Sequence, residues 1–149
     1  MKNANDYFEL IAATADLDDP SEVALAQKFM IDALYRVTDD LPLQARDAAA
    51  VANRFSTGVA TESDLEKERV RLWNSINGRD MSQDADVLRT RTAIHVLYPP
   101  EALDMHDTLA SFLGFWFGGG LSESKLSAVL ANDYGLTINS SGSPVAPAE

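Results

Sequence analysis

A chain of 149 residues, 46% hydrophobic and 23% charged, has the length and apolar content of one folded domain and too little compositional bias for wholesale disorder. Its formal charge of -11, from 23 acidic and 12 basic residues, repels phosphate backbones and anionic bilayers. Direct nucleic-acid and membrane partners are disfavoured, a basic protein partner is favoured, and the absence of cysteine removes disulfides, thiolate catalysis and sulfur-ligated zinc.

Taken in chain order, the punctuation is helical throughout. The opening MKNANDYFELIAATAD carries acids where a signal peptide has a basic end and an apolar stretch, so a cytoplasmic location is expected, and a first helix is predicted over about residues 5–15. DDPSE starts a second helix, with Asp19 as cap and Pro20 at the first helical position, running to about Val37. LPLQARDAAAVANRFSTG predicts a third helix with Pro42 near its start and Gly58 as a left-handed stop. TESD opens a fourth, Thr61 capping with Asp64 three residues on, and Leu65, Leu72, Trp73 and Ile76 share its core face. A fifth follows Ser82 and ends before Pro99, with Val87, Ile94, Leu97 and Tyr98 as its stripe and Val96 opposite, which predicts a central position. The sixth is expected over about residues 100–117 and the seventh over about residues 122–134, closed by Gly135. The expected fold is all-α, a compact and partly orthogonal bundle of about six to seven helices over residues 1–138, with residues 139–149, rich in small residues and proline, as a flexible tail.

Charge is uneven along the chain: residues 1–50 carry a net -6, residues 51–100 a net 0 and residues 101–149 a net -5. If the fourth and fifth helices are central, their arginines are placed to neutralise acids from both flanks. Arg69 and Arg91 fall within apolar stripes, where a guanidinium must pair or extend its head to water, so structural ion pairs are expected at both.

Motifs for catalysis or cofactors are missing. LDMHD brings Asp104, His106 and Asp107 together in sequence, but on a continuous helix His106 points about 160° away from Asp104, which argues against a shared site. His95, between Ile94 and Val96, reads as a satisfied histidine at the core border. There is no Glu-x-x-His or His-Glu-x-x-His metal motif, no calcium loop and no Gly-x-Ser-x-Gly elbow, and no metal or other cofactor is expected. GGGLSESKLS fails as a phosphate loop, because Lys125 follows a serine and the preceding element is a helix.

The stretch FLGFWFGGG concentrates four aromatics before three glycines. On the helical wheel Leu109, Phe112, Leu113, Trp116 and Phe117 share the core face with Met105, whereas Phe115 lies toward the side of Asp104, Ser111 and Gly118. Phe115, with Asp104 and Asp107, is therefore the expected partner-contact set.

The run DLPLQARDAAAVANRFSTGVATESDLEKERVRLWNSI resembles a helix pair of small all-helical immunity proteins that protect bacteria from polymorphic toxins. Pro42, Ala48, Ala52, Phe55, Gly58, Thr61, Leu65, Arg69 and Trp73 carry the likeness, over about a quarter of the chain. The resemblance implies binding without catalysis, with a cognate toxin as the basic partner. A helical adaptor or homodimer is the second expectation, and a small helical ligand-binding enzyme using Arg69 or Arg91 the third.

Overall fold

Helix ends are set by side chains that accept from otherwise orphaned amides. In the computed structural model, which describes residues 3–102, 104–138 and the backbone of residues 144–145, α1 (Ala4–Thr14) starts on a capping box between Asn3 and Asp6. α2 (Pro20–Arg36) starts on Asp19, which accepts from Ser21 N, and α4 (Glu62–Ser75) on a Thr61–Asp64 box. α7 (Glu123–Tyr134) starts on Ser122 and ends on Gly135 at φ 66°. These boundaries agree with the sequence reading, because each rests on contacts within four residues.

Two starts differ from expectation. Pro42 opens a 3-10 turn, Leu43–Ala45, and α3 begins only at Ala48, running to Ser56. Arg46 accounts for the delay: its guanidinium donates to the carbonyls of Leu41 at 3.0 Å and Asp39 at 3.1 Å, folding this segment back on itself. Pro100 likewise opens a 3-10 turn, Pro100–Ala102, and α6 spans Met105–Gly118 with Asp104 as its cap rather than within it. α5 (Ala85–Ile94) follows Asp84, whose amide donates to Ser82 Oγ at 3.1 Å ahead of the helix.

Packing makes α6 the hub. It contacts α1, α2 and α5; α2 also contacts α3 and α7, and α5 also contacts α3 and α4. Phe112, Leu113 and Trp116 are fully buried, as are Tyr7, Phe29 and Leu34 from α1 and α2, each worth about 1.5–3 kcal/mol of transfer free energy as a large side chain. Phe117 is only partly buried and packs its ring 5.6 Å from that of Tyr7. The Tyr7 hydroxyl donates to Glu123 Oε2 at 2.7 Å, joining α1 to α7.

The glycines after α6 have two separate jobs. Gly119 lets α5 approach, since a Cβ there would meet Arg89 Cγ at 3.0 Å and Phe115 O at 3.1 Å, and Gly120 turns the chain at φ 74°. Arg89 then closes the helix end, donating from Nε to Gly119 O at 2.7 Å and from Nη1 to Asp40 O at 2.9 Å.

Thr137–Ile138 (β1), at the end of the span expected to be helical, pairs antiparallel with Pro144–Val145 (β2), which lies inside the segment expected to be a tail; the remainder of residues 139–149 lies outside the described residues. Among the described residues no helix is long and apolar enough to cross a membrane.

Candidate functional site

The clearest concave charged feature forms where the α1–α2 loop meets the start of α6. Leu17 is buried and pins the loop, which turns on itself as Asp18 N donates to Asp16 Oδ1 at 3.0 Å. The Asp18 side chain is thereby left 87% exposed. Across from it, the Pro100–Ala102 turn presents Glu101, and Asp104 spends one carboxylate oxygen on the amides of His106 and Asp107. Asp18, Glu101 and Asp104 line a cleft of about 590 Å³ whose apolar surface comes from residues including Leu17, Val23 and Met105, and among the described residues no basic one lines it. An apolar floor under three carboxylates suits a long cationic side chain, whose stem packs while its head is neutralised.

His106 stands beside this cleft. Its Nδ1 lies 3.6 Å from Asp104 Oδ1 and 3.8 Å from Asp18 Oδ1. The wheel separated His106 from Asp104 by assuming one continuous helix; Asp104 instead has extended backbone, φ -85° and ψ 109°, and its carboxylate turns back over the first helical turn. Asp107 is exposed in that same turn, so Asp104 and Asp107 remain neighbours. Phe115 does not join them: it is eleven residues along the same helix, about 16 Å of rise.

Phe115 belongs to a different cluster. The Arg91 guanidinium carbon sits 4.3 Å from the Phe115 ring centroid and 5.7 Å from that of Trp73, and the His95 ring is 5.3 Å from Phe115. The acids expected around Phe115 are replaced by a cation and an imidazole. Because a carbonyl only accepts, His95 Nδ1 carries the proton that bonds Arg91 O at 2.7 Å. Burial, assisted by the Arg91 charge, holds the imidazole below its ordinary pKa against the opposing effect of that hydrogen bond.

The ion pairs expected at Arg69 and Arg91 are not made among the described residues. Among the described residues Arg69 donates to Leu97 O at 2.7 Å and stacks 4.5 Å from the Tyr98 ring, while Arg91 donates to Asp80 O at 3.0 Å. Helix-end carbonyls and aromatic faces satisfy these cations where the sequence suggested acids. Neither arginine lines the acidic cleft.

This has an electrostatic consequence for the whole surface. Arg71 pairs with Glu68, and Arg79 with Asp84 at 3.1 Å and Asp86 at 3.0 Å, all within residues 51–100. Among the described residues these direct pairs do not reach the acids of either flank, and the acids of the cleft stay without a lysine or arginine partner.

One cluster had no sequence signal beyond an i, i+4 spacing. Lys28 Nζ bridges Asp32 Oδ2 at 2.6 Å and Asp133 Oδ1 at 3.2 Å, tying α2 to α7. The Asp133 side chain is only 1% exposed. Burial, reinforced by the adjacent Asp133, pushes the Asp32 carboxyl above its ordinary value, with Lys28 pulling the other way.

No protein-family model matches the chain, and neither a curated protein nor a solved structure matches it.

Proposed function

We propose that this chain is a non-enzymatic protein-binding domain, an inhibitor of the immunity-protein type that neutralises a basic toxin through its acidic surface. The observation that carries the reading is the cleft of Asp18, Glu101 and Asp104, concave, floored by apolar side chains and, among the described residues, free of any lining cation. Local pairing of the central arginines leaves the field of these acids uncompensated, and such a field speeds encounter with a basic partner. The likeness of residues 40–76 to an immunity-protein helix pair supports the same role. The reading carries with it a cytoplasmic location and no direct contact with nucleic acid or membrane.

The test is co-expression with the product of the adjacent gene, combined with capture by the tagged protein at low and high salt. A basic protein, toxic alone, should be captured and neutralised, and released as ionic strength rises because exposed charge attraction is screened. Asp18→Asn combined with Asp104→Asn should reduce that capture. A stable homodimer that captures no basic protein would replace this reading with that of a dimeric scaffold.

A further inference from the structure

Pro100 forms part of the wall of the acidic cleft. That residue also lines a second cleft, of about 490 Å³, whose other walls include Ala24, Gln27, Ile31 and Asp32 of α2 and Phe55 of α3. Pro20, Val23, Ala24, Gln27 and Ile31 fall within about 100° of one another around α2, with Asp32 about 80° beyond Ala24, so one face of this helix lines both clefts and Asp32 stands at its edge. Acids stand at each end: Asp18 and Asp104 at one, Asp32 at the other. Lys28, the one cation among the described residues that line the second cleft, is already bound to Asp32 and Asp133, leaving that end with one carboxylate in surplus.

Gln27 lies between the ends. It is 5% exposed, and its Nε2 donates to Val96 O at 3.1 Å, which fixes the orientation of the amide because that carbonyl can only accept. Gln27 Oε1 is left buried with no hydrogen-bond partner among the described residues, a desolvated acceptor that gains when a donor is supplied.

Resting on the proposed function, we infer that the two clefts form one groove along α2 that receives an extended segment of the basic partner, with two cationic side chains six residues apart. Between Pro20 and Asp32 the helix rises about 18 Å, a span that five to six extended residues cover. Side chains at i and i+6 of an extended segment point the same way, so one cation meets Asp18 and Asp104 while the other meets Asp32. Apolar side chains at i+2 and i+4 face Val23, Ala24 and Ile31, and a main-chain N–H over the middle supplies the donor that Gln27 Oε1 lacks.

The experiment is fluorescence anisotropy with a fluorescein-labelled peptide, Lys-Thr-Val-Thr-Val-Thr-Lys, blocked at both ends, against the full-length protein. Controls are the same peptide with Glu in place of both Lys and one with the two Lys adjacent. Ala24 is exposed at the middle of the groove, so Ala24→Trp fills it without entering the core. Asp32→Asn and Asp104→Asn each remove one terminal charge at nearly constant shape, and circular dichroism checks that all three variants fold.

Saturable binding of the Lys-ended peptide is expected, lost in Ala24→Trp and weakened about tenfold by either Asn variant, a change equal to about 1.4 kcal/mol. The Glu-ended peptide should not bind, and the adjacent-Lys peptide should bind more weakly and lose its sensitivity to Asp32→Asn. Sensitivity to Asp104→Asn but not to Asp32→Asn or Ala24→Trp would overturn the groove and leave the acidic cleft standing. Absence of binding, or equal binding of the Glu-ended peptide, also overturns the groove. The proposed function is decided separately, by capture of a basic protein.

Discussion

The two ends of α6 handle polar groups in opposite ways. At the end near Gly118, Arg89, Arg91 and His95 are turned inward onto the carbonyls of Gly119 and Arg91 and the ring of Phe115, so the cationic groups there are spent on holding the fold. At the Asp104 end, the carboxylates of Asp18, Glu101 and Asp104 converge on a cleft that no basic residue lines among the described residues, and there they serve a helix cap and a contact with His106. The difference teaches that charge density by itself does not mark a surface for binding. What separates the ends is whether complementary groups within the chain have already consumed the charge.

That contrast can be broken at either end. The largest effect is expected from Gly119→Val, which forces a side chain against Arg89 and Phe115 O; a loss of about 1–3 kcal/mol in urea unfolding would be ordinary for overpacking. Phe115→Ala should cost about 1–2 kcal/mol, because the ring is half-buried beneath the Arg91 guanidinium, and the loss should be smaller in an Arg91→Met background where that cation is gone. If Phe115→Ala were neutral in stability while reducing capture of a basic partner, the internal role assigned to this end would fail.

A smaller effect is proton-linked. The His95 pKa is lowered in the folded protein, so the unfolded chain takes up the proton first on acidification. Stability from this group is fully present above the reference value of 6.5 and is lost as pH falls through the lower folded value. Denaturation curves across that window should show the loss in the native sequence, and His95→Gln should flatten it.

The smallest change in stability is expected at the acidic end. Asp104→Asn keeps the capping oxygen and removes only the charge, so unfolding free energy should move by no more than about 0.5 kcal/mol. Binding to a basic partner should nonetheless weaken, with a shallower dependence on salt. A loss of stability as large as that of Phe115→Ala would show that the cleft carboxylates serve the fold after all.

Much of the architecture was legible because it is local. Asp19, Thr61 and Ser122 cap their helices through amides two or three residues on, and Gly58 and Gly135 stop theirs with left-handed backbone, as their residue types require. The stripe of Leu109, Phe112, Leu113 and Trp116 was readable from helical spacing alone, because a side chain's face follows from its position on a regular helix. Where regularity ends, so did legibility. Asp104 left the helix to cap it, and Arg46 held the Pro42 segment in a turn; neither choice is visible in periodicity.

Composition and spacing by themselves determined an acidic, helical chain with its core faces and most of its helix ends, since propensity, capping and burial periodicity act over one or two turns. Only the tertiary structure decided where the charges go. A guanidinium at Arg69, Arg89 or Arg91 can be satisfied by a carboxylate, a carbonyl or a ring, and which of these it meets depends on elements 11 to 49 residues distant. Because those cations went to carbonyls and rings, Asp18, Glu101 and Asp104 were left to face solvent together, a convergence of residues from two separated segments that no local rule dictates.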